Sequence, residues 1–193
     1  MRLLLETICV REGVCQHLAY HQARMEHALQ RSLAFDWQEK LQAIVHTYKG
    51  LVKCRILYRE TIEDITFHSY SPNPPKTLQL IEAPNLAYPL KYADRTEIEA
   101  LKARADKADD ILITQHGYIT DTSYANIALF DGKDWVTPEK PLLEGTTRAR
   151  AIHAGKLKTA SIHLKDLPAY TKLRLFNAML PFEEAYEAVI LAE

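Results

Sequence analysis

Apolar residues along this chain switch between the two-residue spacing of strands and the three-to-four-residue spacing of helices. Leu3 to Val10 is an apolar run interrupted by Glu6 and Thr7, which predicts a strand, and Gly13 sets a turn before a second short strand, Val14 to Leu18. From Tyr20 the apolar positions Met25, Ala28, Leu29 and Leu33 recur at helical steps. Asp36 with Glu39 has the form of a capping box, since each side chain can satisfy backbone donors at a new helix start. Trp37, Leu41, Ile44 and Val45 would be that helix's buried stripe, and Gly50 its stop. The β-rich runs LVKCRILY from Leu51 and ITFHSY from Ile65 follow. SPNPPK, Ser71 to Lys76, cannot join a sheet interior and predicts a linker. Beyond it come the strand-like TLQLIEA from Thr77 and a helix with Ile98, Leu101 and Ala105 on one face. Two hairpins are expected about His116-Gly117 and Asp131-Gly132, then a helix capped by Thr146 or Thr147 and stopped by Gly155. Strands are expected in KTASIHL, LRLFN and AVILA. The pattern predicts an α+β (α/β) protein with a small N-terminal domain over residues 1–72, a linker near 71–76 and a larger C-terminal domain over 77–193.

Composition narrows the function classes. The 193 residues carry 24 Lys plus Arg against 25 Asp plus Glu, a net charge of -1, so no global basic field exists to hold nucleic acid or anionic lipid. Six glycines, never clustered, leave no place for a dinucleotide fingerprint or a Walker loop. Three cysteines without a Cys-x-x-Cys pair fit buried reduced thiols, and Glu6 and Arg11 break the N-terminal apolar run before a signal-peptide core could form. No stretch is long enough for a membrane helix, and the expected compartment is the cytoplasm. His17 and His21 with Cys15 lack the carboxylate that would complete a metal set and read as surface histidines, His17 on the strand. Glu183 and Glu184 read as a solvated pair.

Four segments carry chemistry, each with a plain structural alternative. Lys91 follows Leu86, Ala87, Tyr88, Pro89 and Leu90; a lysine desolvated there is a nucleophile, whereas one reaching water from a strand end is inert. Asp121 sits among Thr120, Thr122, Ser123 and Asn126, either an acid held for use or a turn stabilised by its side chains. In LLEGTTRAR, Gly145 and two threonines open a helix, giving an anion site or an ordinary cap. FNAML, Phe176 to Leu180, is a strand end with a polar Asn177.

In this order and spacing the four segments resemble the class IV aminotransferase superfamily, the fold-type IV enzymes that use pyridoxal 5'-phosphate (PLP). The resemblance spans about Leu5 to Pro181 and implies the D-amino-acid aminotransferase-like fold, two small domains with the cofactor between them. ETI (Glu6 to Ile8) and LAYHQARM (Leu18 to Met25) resemble the opening strand and the helix whose arginine meets the cofactor phosphate, here Arg24. LKYADR resembles the segment of the Schiff-base lysine, here Lys91, and ITDTSYANI the segment presenting an acid to the pyridine nitrogen, here Asp121. GTTR resembles the phosphate-cup turn, with Thr146 and Thr147, and FNAMLP the last phosphate-side turn, with Asn177 and Ala178. FNAMLP, and the arginine four residues after the lysine, resemble the 4-amino-4-deoxychorismate lyase branch more than the D-amino-acid or branched-chain aminotransferases. The resemblance therefore implies elimination of pyruvate to give the folate precursor 4-aminobenzoate. The alternatives are an aminotransferase on the same site and a non-catalytic binding protein of this fold. Thr7, Arg55, Arg59, Tyr92 and Arg95 are candidates for the substrate side, no metal is expected, and the family's habit implies a homodimer. Two departures stand out: the acid is aspartate where the family usually has glutamate, and the strand region preceding ETI is absent.

Overall fold

The computed structural model describes residues 2–33, 37–184 and 186–191. Contacts divide the chain into two units, Met1–Pro72 with Leu90–Asp94, and Asn73–Pro89 with Arg95–Glu193. The sequence reading kept 77–193 together; instead Leu90–Asp94 leaves its neighbours and packs with the first unit, because Leu90 and Tyr92 bury against that unit's core.

The first unit runs β1 (Leu4–Arg11), β2 (Val14–Cys15), α1 (Leu18–Leu29), α2 (Trp37–Val45), β3 (Leu51–Tyr58) and β4 (Ile62–Ser69). Its sheet is antiparallel in the order β2-β1-β3-β4. Side chains alternate across a sheet, and Leu4, Ile8 and Val10 share one face with Val52, Cys54, Ile56 and Tyr58. That face meets Met25 of α1 and Trp37, Leu41 and Val45 of α2 in one core. Ile44, expected in the stripe, is exposed. The proposed Asp36 cap lies outside the described residues. All three cysteines are buried and none forms a disulfide, and burial pushes Cys15 up to about 11 and Cys54 up to about 12.

The second unit contains β5 (Thr77–Glu82), α3 (Thr96–Lys102), β6 (Asp110–Gln115), β7 (Tyr118–Thr122), β8 (Asn126–Phe130), β9 (Trp135–Pro138), α4 (Thr146–His153), β10 (Lys158–Ala160), β11 (Lys172–Phe176) and β12 (Tyr186–Ile190). They form a mixed sheet, ordered β10-β9-β8-β11-β12-β5-β6-β7. The His116-Gly117 signal joins β6 to β7 with two consecutive left-handed residues, φ 52° and 80°, the geometry that matches strand twist in a tight hairpin. Leu78, Leu112, Ile127, Leu129 and Leu175 anchor its largest core. Glu183 is held by Arg150 and Lys156, and not merely solvated.

Candidate active site

Within the first unit, an acid sits on the core face of a strand. Glu6 has the parity of Leu4, Ile8 and Val10, so its carboxylate points toward α1 and is fully buried. Arg24 meets it along one edge of the guanidinium, Nε to Oε1 at 2.8 Å and Nη2 to Oε2 at 2.6 Å, and His21 Nδ1 lies 2.7 Å from Oε2. His21 and Arg24 are three apart on α1 and share a face. Burial alone would raise the Glu6 pKa, but the Arg24 charge and the His21 contact overcome it and hold the carboxyl at about 2. Burial, with Glu6 adding to it, pushes the Tyr58 hydroxyl upward. His21 is thus a buried partner of Glu6 and not a surface histidine, and His17 lies between β2 and α1 with a left-handed backbone, φ 56°. No group of three or more metal-ligating side chains occurs among the described residues. The sequence reading did not foresee that Glu6 pairs with Arg24 and His21; the available signal was an acid at a core-facing strand position.

The Lys91 segment docks on the same strand. Leu5 N–H donates to the Lys91 carbonyl (2.8 Å), Ala93 N–H donates to Leu3 (2.9 Å), and Leu4 stands opposite Tyr92. Tyr92 therefore turns to the core face, where the Arg2 guanidinium lies 5.2 Å from its ring centre, and half-buried Lys91 leaves from the opposite face beside Leu5. Thr7 and Arg55 are register partners on that opposite face. Arg59 is not with them: it sits past the end of β3, paired with Glu63 at 2.5 Å.

In the second unit, Asp121 on β7 is buried and doubly engaged. Asn126 Nδ2 donates to Oδ1 (2.8 Å), and Leu143 N–H donates to Oδ2 (3.0 Å). Asn126 also donates to the Leu143 carbonyl at 2.9 Å, tying β7, β8 and the loop before α4 into one block. Burial pushes Asp121 up to about 6, with Asn126, Leu143 and nearby Arg148 pulling the other way. Gly145 precedes α4, and a Cβ there would lie 2.0 Å from Asn126 Oδ1, so only glycine lets the amide close on the helix start. Gly145, and neither threonine, is the cap residue; no side chain caps α4, and buried Thr146 and Thr147 occupy its first turn. The first N–H groups of a helix lack intrahelical partners, and its positive dipole end favours an anion. Arg148, also buried, donates Nη2 to the Pro138 carbonyl at 2.9 Å.

Asn177 spends its side chain locally: Oδ1 accepts from Met179 and Leu180 N–H (2.8 and 3.0 Å), and Nδ2 donates to Tyr124 at 3.3 Å. It shapes the turn that presents half-buried Ala178. Arg95 likewise brackets its surroundings, holding Glu99 and donating Nη2 to the Ser123 carbonyl at 2.9 Å.

Residues 3–182 match the Amino-transferase class IV family. A protein of Haemophilus influenzae known only as uncharacterized is 31% identical over 182 residues, 91% of this chain and 97% of its own length. Among solved structures, a candidate 4-amino-4-deoxychorismate lyase from Haemophilus somnus 129PT is 31% identical, with a TM-score of 0.87 covering 94% of this chain and 98% of that one. A candidate amino-acid aminotransferase from Mesorhizobium loti shares the fold at 20% identity and a TM-score of 0.82, covering 99% and 100%. With the motif segments placed as described, the chain belongs to the class IV aminotransferase family and is a PLP-dependent enzyme of fold type IV.

Proposed function

We propose that this protein is a 4-amino-4-deoxychorismate lyase, releasing pyruvate and forming 4-aminobenzoate for folate synthesis. The observation that carries the cofactor side is the Asp121 block: a buried acid, pushed up to about 6, bonded through Asn126 and Leu143 to the start of α4, which no side chain caps. A carboxyl so desolvated gains most from a cationic partner, which a pyridinium N–H supplies, and the adjoining helix end suits a phosphate. The donor set fits PLP. The lyase assignment is supported by the likeness to the Haemophilus somnus protein at 31% identity.

Lys91 would bond the cofactor covalently. Asp121 would hold the proton at the pyridine nitrogen, while the N–H groups and hydroxyls of Thr146 and Thr147 and the turn at Ala178 would position the phosphate. Arg24, already oriented by Glu6, would contribute charge on the phosphate side. The chemistry that the cofactor supplies when bound is an electron sink for a carbon attached to the substrate nitrogen. The freed Lys91 amine would take the proton from the ring carbon bearing nitrogen. Cleavage of the ring carbon–oxygen bond then leaves an aromatic ring and enolpyruvate, which gains a proton at its methylene carbon to become pyruvate.

The test is incubation with 4-amino-4-deoxychorismate in the absence of any keto acid, following 4-aminobenzoate and pyruvate in equal amounts. Amino transfer from D-alanine or a branched-chain amino acid, with no 4-aminobenzoate, would sink the lyase reading in favour of an aminotransferase. Lys91→Ala should lower turnover by about 10³-fold or more while the melting temperature stays near that of the parent, because the segment is held by its backbone and by Leu90 and Tyr92. By the same family habit we propose a homodimer, for which light scattering should give about twice 22.1 kDa. We also propose a cytoplasmic placement; separately, no helix of the described residues is long and apolar enough to cross a membrane.

A further inference from the structure

We infer that Arg55 receives a carboxylate of the substrate. This rests on the reading of Lys91 as the residue that holds the cofactor, and it concerns one face of the first unit's sheet. Register fixes that face. Leu4 stands opposite Tyr92, so Leu5 stands opposite Lys91, and residues directly opposite one another leave a sheet on the same side. Two residues along β1 on that side is Thr7, whose partner on β3 is Arg55, whose partner on β4 is Thr66. Ordinary strand spacings put the Lys91 and Arg55 Cα atoms about 12 Å apart. Two long side chains leaving one face at that separation can grip a ring-sized ligand from its two ends.

The state of the guanidinium points the same way. Among the described residues, the other two arginines expected on the substrate side are engaged: Arg59 by Glu63, and Arg95 by Glu99 and the Ser123 carbonyl. Arg55 is half-buried between two threonines, and no described residue offers it an acceptor. A partly desolvated cation without a counter-charge favours an incoming anion, and the planar fork of arginine matches a carboxylate with two parallel bonds. The face is basic beyond Arg55 itself, since the next row carries Lys53 and His68. Its acid on β4, Asp64, stands opposite Leu57 and makes no ion pair among the described residues. The phosphate has its proposed donors at α4, which leaves the substrate as the anion for Arg55. In 4-amino-4-deoxychorismate the ring carboxylate lies across the ring from the amine, so an amine at Lys91 carries the carboxylate away from it.

The test compares the PLP-loaded parent enzyme with Arg55→Met and Arg55→Lys, using calorimetric titration with 4-aminobenzoate and with its uncharged isostere 4-aminobenzamide. Loss of the charge should weaken 4-aminobenzoate binding about ten- to hundred-fold and leave the amide unchanged, with Arg55→Lys falling between. In turnover the loss should appear mainly as a raised KM. Cofactor content, read from the absorbance of the bound chromophore and from borohydride fixation, should be equal in all three. Equal affinity of parent and Arg55→Met for 4-aminobenzoate, or no preference of the parent for carboxylate over amide, overturns the inference. A Lys91 that borohydride fails to label overturns the reading beneath it, and a parent enzyme that binds the carboxylate through Arg55 but makes no 4-aminobenzoate overturns only the lyase assignment.

Discussion

At the residue scale the first unit depends on one acid where an apolar side chain would be expected. Glu6 occupies a core-facing position of β1 and is tolerable there only because Arg24 meets it on two atoms and His21 on a third contact. Breaking such a pair from one side leaves an uncompensated buried charge, which typically costs about 3 to 5 kcal/mol. Glu6→Gln should therefore lower unfolding free energy by about that amount and also weaken cofactor retention, because Arg24 loses its orientation. Chemical denaturation alongside PLP titration checks both. A change below about 1 kcal/mol would mean that Arg24 finds another acceptor and that Glu6 does not set its pose.

At the element scale, local pattern carried the strands and helices but not the docking of short segments. β3 was legible because LVKCRILY is rich in β-favouring residues, and in the fold it alternates half-buried and buried along all eight positions; the β6–β7 hairpin was legible because His116-Gly117 supplies the two left-handed residues the turn requires. The transfer of Leu90–Asp94 to the first unit was not legible. Its pairing consists of a few backbone bonds to residues nearly ninety positions earlier, with no periodicity of its own. The start of α4 was legible in part: GTTR marked a helix opening, but the reason for its glycine is the Asn126 amide, which no spacing along the chain displays. Gly145 has an ordinary negative φ of -72°, so its requirement is space and not backbone freedom. Gly145→Ala should displace Asn126 from Asp121, costing about 1 to 3 kcal/mol as an overpacked site and reducing PLP affinity about tenfold or more. Thermal melting with and without PLP reads both effects. If the alanine variant binds PLP as tightly as the parent, the coupling between Asp121 and the helix start is wrong.

At the scale of the whole molecule Glu6 and Asp121, both buried, act on stability in opposite directions, and their pH windows separate them. Glu6 is held at about 2, below its ordinary 4.5, so its contribution is present above pH 4.5 and is lost as pH falls through 2. Asp121 is pushed up to about 6, above its ordinary 3.8, so the folded chain binds that proton more tightly than the unfolded chain. Its contribution is complete below pH 3.8 and is lost as pH rises through 6, a change of about 3 kcal/mol if it acts alone. The cofactor-free protein should therefore be less stable at pH 7 than at pH 5. A pyridinium beside Asp121 would compensate the ionised carboxylate, so PLP should raise the melting temperature more at pH 7 than at pH 5 and flatten the slope. Asp121→Asn should flatten the slope without PLP, and should cut turnover by about 10² or more because the ring nitrogen would lose the acid partner proposed for it. Differential scanning fluorimetry from pH 4.5 to 7.5 on both proteins, with and without PLP, measures all of these. A cofactor-free parent protein whose stability climbs steadily across that range would show that Asp121 ionises at little cost, and the argument that its burial selects a cationic partner would fall.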